Sequence, residues 1–158
     1  MAEPSLPPDD DANGPNFGCD RYDPSGADLS LPDLLRELEG STHGGPRHNA
    51  LYESLKRLVD QRPMAAFDKI ADSPGSAHSV LLMAISGVGR RILQPMLQRL
   101  SHPSAAIRSN AAMVLCIWAT RGLLSGADRP AIDQARDGLP SDDSATTILD
   151  NALSRLRT

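Results

Sequence analysis

The groups in this chain that could do chemistry are four histidines, two cysteines and a run of arginines, and their spacing decides which reactions are open to them. His43 and His48 lie in a Gly/Pro-rich stretch, and His78 and His102 lie near predicted turns. None is therefore spaced as a metal ligand on a helix, and no metal or other cofactor is expected. Cys19 sits among Pro, Asp and Gly, whereas Cys116 falls inside a predicted buried helix, so the two do not read as a disulfide framework. Gly87-Val88-Gly89-Arg90-Arg91 has the glycines and cations of a phosphate loop. It lacks a preceding strand and a third glycine, and a turn between helices is the expectation. No serine or cysteine stands in a nucleophile elbow and carboxylates are sparse in the apolar half, so a non-enzymatic protein is expected. Arg90, Arg91 and Arg99, with Arg108 nearby, read as a basic stripe suited to phosphate or to a carboxylate-rich peptide. Lys56 and Lys69 are the only lysines, which favours a protein partner over a nucleic acid.

The elements that must position these groups follow from patterning. At 158 residues the chain holds one domain of ordinary size plus a tail, and its 3% aromatic content favours packed helices over a β-sandwich. The net charge of −4 hides an asymmetry: residues 1–45 carry ten acidic groups against Arg21 and Arg36, a net of −8, and the remainder is +4. That points to an anionic partner for the body or to a tail that folds back over it. Residues 1–27 are rich in Pro, Asp, Gly and Asn without a period and are expected to be a disordered acidic tail. Residues 28–40 form a short amphipathic helix, with Ser30 as N-cap, Pro32 in the first turn, and Leu31, Leu34, Leu35 and Leu38 on one face. That face either caps the end of the body or docks into a partner's groove. Residues 41–48 are a linker.

From residue 49 to 158 every segment reads as helical, over 49–61, 64–72, 76–87, 90–100, 104–121, 129–138 and 143–157. Pro95 is expected to kink the helix over 90–100. In 104–121, Ile107, Ala111, Val114, Leu115 and Trp118 share one face, while Ser109, Met113, Cys116 and Thr120 point away. The longest apolar run, 111–119, falls well short of the roughly 20 residues that cross a bilayer. The first residues lack the basic and apolar regions of a secretory signal, so the expectation is a soluble, cytoplasmic protein without membrane insertion.

Successive helix pairs resemble one another, each joined by a turn with Pro and Ser, at residues 74–76, 103–104 and 140–141. The central pair resembles the HEAT-repeat (armadillo-like) family. It has a mid-helix Pro95, a polar turn from Ser101 to Ser104, then β-branched Ile107, Arg108 and the small Ala111. The family's turn usually carries an Asp that bonds the Arg, and this chain has Ser101 or His102 there. The resemblance implies an all-α fold, a short right-handed α-solenoid of about three helix pairs, whose second helices line a concave face. Ser109, Met113 and Cys116 would look into that groove. Function is then expected to be that of a small adaptor or assembly subunit of a larger complex, binding a partner protein through the repeat surface. Nucleic-acid binding through the basic stripe and a HEAT-like lyase are the alternatives, since relatives of the wider superfamily include both.

Overall fold

In the computed structural model, which describes residues 29–73 and 75–156, every regular element is helical and no strand occurs among the described residues. The expectations for residues 1–27, including those for Cys19, lie outside the described residues. Helix α1 spans Leu31–Gly40; Ser30 is its N-cap, with the hydroxyl accepting from the Asp33 N–H, and Pro32 occupies the first turn. Helix α2 spans Pro46–Gln61, beginning three residues before the expected Asn49 because the fixed φ of Pro46 suits a first helical position. The expected 41–48 linker is thereby shortened to 41–45, with Gly44 at φ +78° making the turn. His48 belongs to α2, where it is buried, holds the Ser41 hydroxyl at 2.8 Å through Nδ1, and meets the His43 ring edge-on.

Pro63 both ends α2 and opens α3, Pro63–Asp68, which a 3₁₀ turn at Ile70–Asp72 prolongs. Helix α4 spans Gly75–Ser86. A second 3₁₀ turn, Gly89–Ile92, precedes α5, Leu93–Arg99, so Pro95 does not kink a continuous helix. It lies in the first turn of α5, where a missing N–H breaks no helical bond, and the change of direction comes before it. Helix α6, Ala105–Thr120, is followed by α7, Arg129–Asp137, and α8, Ser144–Arg155, for which Asp143 is the N-cap, accepting from the Ala145 N–H at 2.9 Å.

The core runs through all of these helices and includes Leu55, Phe67, Ile70, Leu81, Ile85, Met96, Leu115, Trp118, Ile132 and Leu149. Ile148 of α8 is only half-buried. Four helices run side by side in one direction. The first turn of α2 shares a cleft with that of α4, through His48, Ser76, Ala77 and Val80, and their last turns share another, through Asp60, Gln61, Ala84 and Val88. At the same C-terminal end the Trp118 indole N–H of α6 donates to the Ser86 carbonyl at 2.8 Å. At the N-terminal end the Ser109 hydroxyl of α6 meets that of Ser144 in α8. Helices α1, α3, α5 and α7 make the return passages and pack against α2, α4, α6 and α8 respectively. No single helix among the described residues is long and apolar enough to cross a membrane.

Candidate functional site

The leucine face of α1 is committed within the molecule. Leu34, Leu35 and Leu38 are buried against α2 and α4, which leaves only the half-buried Leu31 near the surface. Of the two readings of that face, covering the end of the body is the one its packing matches, and these leucines are not free to enter a partner's groove. Leu31 and Leu35 do form one wall of a cleft of about 440 Å³, completed by Pro32, Arg36, Glu39, Lys69, Asp72, Ser73 and Ala77.

Each arginine of the expected basic stripe is paired with an aspartate from another part of the chain, while the Arg90 and Arg91 side chains remain half exposed. Arg99 makes a two-pronged bond with Asp68 of α3 at 2.8 and 2.9 Å. Arg91 pairs with Asp60 of α2 and also donates to its carbonyl. Arg90 grips both oxygens of Asp128 at 2.7 and 2.9 Å and reaches the Leu123 carbonyl at 3.0 Å. Arg108 binds Asp143 at 2.6 and 2.7 Å and donates to the carbonyls of His102 and Pro103. The carboxylate that answers Arg108 thus comes from the turn of the following helix pair, while His102 serves its own turn by accepting the Ser104 N–H at 3.0 Å. The sequence carries a signal for this arrangement: no acidic residue occurs between Asp72 and Asp128, a stretch that holds Arg90, Arg91, Arg99, Arg108 and Arg121.

Electrostatics at two of these pairs are pronounced. The hydrogen bond from Arg90 holds the Asp128 carboxyl below the usual aspartate range, aided by the Ser125 N–H and opposed by burial. Asp143 is held below that range chiefly by the Ala145 N–H, with Arg108 adding to it against the cost of burial.

The second-helix face is divided by its packing. Ser109 is engaged with Ser144, and Cys116, half-buried, packs against the core, so neither lines an open groove. Met113 remains 38% exposed, and Met83 of α4 is 39% exposed. Both sit about 200° around their helices from buried neighbours, Met83 from Leu81 and Ile85, Met113 from Ala111 and Leu115. Helix α4 has no charged residue and α6 has only Arg108, so these two helices put almost no charge beside the methionines. Among the described residues no three His, Cys, Asp or Glu side chains converge as a metal-ligand set. No model of a known protein family, no curated protein and no solved structure matches this chain.

Proposed function

We propose that this chain is a non-enzymatic interaction module: a short right-handed, HEAT-like stack in which α3/α4, α5/α6 and α7/α8 are the repeating pairs and α1 and α2 close one end. Four parallel neighbours, α2, α4, α6 and α8, support the stacked reading. The observation that carries the functional one is the exposure of Met83 and Met113 on two adjacent helices whose one charged residue is Arg108. Large flexible apolar side chains kept in water on a neutral surface suit burial against the apolar face of another protein. The module thereby acts as a small adaptor or assembly subunit, contributing one face to a larger complex. The pairing of Arg90, Arg91, Arg99 and Arg108 with aspartates favours this reading over a nucleic-acid one.

The test is to place a photo-activatable cross-linker at position 83 or 113 of the full chain in its native cell, beside the double variant Met83→Lys/Met113→Lys. One discrete protein adduct from those positions is expected, together with at least a tenfold loss of that protein's recovery by the double variant. The variant's stability should lie within about 0.5 kcal/mol of the parent, as exposed substitutions usually do. No protein adduct from either position, or recovery unaffected by the two lysines, would exclude this surface.

A further inference from the structure

Six polar or charged side chains are buried among the described residues, and five of them are satisfied. His48 meets the Ser41 hydroxyl, Ser54 accepts from Arg57, Ser86 donates to the Leu82 carbonyl, and Asp128 and Asp143 bind Arg90 and Arg108. Asn110 of α6 is the exception: it is 7% exposed, and its carboxamide makes no hydrogen bond among the described residues. A buried polar group is ordinarily paired, because an unpaired one forfeits the hydrogen bonds it made in water. Neither its oxygen nor its nitrogen is sealed from solvent, so the unpaired group opens outward. The helix fixes where it opens. At about 100° per residue, Asn110 falls between Met113 and Trp118, on the far side of Met113 from Ser109. Ser109 marks the side of α6 that meets α8 and Trp118 the side that meets α4, so Asn110 lies on the α4 side of the exposed Met113, one turn before it. Apart from Arg108, which Asp143 holds, α4 and α6 carry no Asp, Glu, Lys or Arg.

We propose that Asn110 sets the specificity of the methionine surface: the partner protein's segment seated on Met83 and Met113 is apolar and inserts one Asn or Gln side chain, whose carboxamide pairs with that of Asn110 through two hydrogen bonds. This rests on the reading of that surface as a docking site. A carboxamide holds an acceptor and a donor side by side in one plane, so a second one turned end for end answers both at once, whereas a hydroxyl must serve both from a single atom. A charged group would lose its hydration there and find no counter-charge, since Arg108 is already held by Asp143. A peptide group of the partner's backbone is flanked by its own side chains, and a recess only 7% exposed admits a slender, protruding group ahead of it. Such a site discriminates, because a partner without the matching group leaves Asn110 dehydrated and unpaired.

The probe for the full-length protein is hexanamide, an apolar chain ending in a carboxamide, followed by NMR through the Asn110 side-chain amide and the Met83 and Met113 methyl signals. Saturable shifts of all three are expected, at concentrations severalfold below those needed of hexanoate, hexylamine, hexanol or N-methylhexanamide. Asn110→Leu, or Asn110→Ala should the leucine variant not fold, is expected to abolish that preference and leave the methionine shifts in place. Methionine shifts that do not distinguish the five compounds, with the Asn110 signal unmoved, would overturn the carboxamide pairing and leave the docking surface standing. A preference for N-methylhexanamide would assign Asn110 to a partner's backbone, and one for hexanoate or hexylamine would assign the surface to a charged partner; either overturns the pairing. Methionine signals that move on dilution of the protein alone would give the surface to a second copy of the chain and overturn it too. So would an Asn110 signal indifferent to hexanamide, whatever cross-linking from positions 83 and 113 shows.

Discussion

At the scale of single residues, Asp143 carries three tasks: it caps α8, neutralises Arg108 and lies almost wholly buried, its side chain 3% exposed. Removing it leaves an arginine without its counter-charge and a helix without its cap, and Asp143→Ala should cost about 3 kcal/mol or more. Because Asp128 and Asp143 have lowered folded-state pKa values, their contribution is complete above the unfolded aspartate pKa of about 4 and is lost as pH falls through the folded values. Urea titrations from pH 7 to 2 should therefore show stability falling below about pH 4, and Asp128→Asn/Asp143→Asn should flatten that fall while starting from a lower value at pH 7. Arg108→Lys keeps the charge yet cannot reach Asp143 and two carbonyls together, and should lose about 1–2 kcal/mol in the same assay. That an arginine belonged at position 108 was legible from its place after Ile107. Its partner was not, because an aspartate 35 residues away leaves no local pattern.

At the scale of elements, the helices themselves were the most legible part, since apolar periodicity and the Ser, Pro and Gly signals act within a few residues. Boundaries failed where one residue admits two local roles. Pro46 and Pro95 were read as loop and kink, whereas Pro46 starts a helix and Pro95 lies in the first turn of one. What α1 packs against was also hidden, because an amphipathic face looks the same whether its complement is in the chain or outside it. Leu34→Ala/Leu38→Ala separates the cases. With both leucines buried on α2 and α4, the double variant should lose about 4 kcal/mol or more and release the amide protection of α1 first; a freely docking helix would leave the melting temperature unchanged.

For the whole molecule, the arginine–aspartate pairs tie the α5/α6 segment to α2, to α3 and to the helices that follow it, on top of a continuous core, so the described helices should unfold together. The single tryptophan reports on this: Trp118, fully buried and bonded to Ser86 across the α4–α6 contact, should lose its native emission at the same urea concentration at which helical ellipticity falls. Two separated midpoints would show that the ends melt independently. Much less of the candidate surface than of the fold was legible. Helical periodicity placed Met113 on the outward face of its helix, where it is exposed. Met83 was not singled out because the run from Val80 to Ile85 is apolar throughout, and only the packing of its neighbours decides which side meets water.

The absence of acidic residues between Asp72 and Asp128 also sets an order in time. Synthesis delivers Asp60 and Asp68 before Arg91 and Arg99, so those arginines emerge to find their partners already made. Arg90 and Arg108 emerge to find none and must wait for residues 38 and 35 positions later. At a synthesis rate of about 5–20 residues per second, that interval lasts seconds. Until Asp128 emerges the growing end from residue 73 onward bears only positive charges, and until α8 follows, α6 lacks the α8 side of its packing. The nascent chain is therefore most exposed to misassociation late, just before Asp143 emerges and locks the central hairpin from its far side.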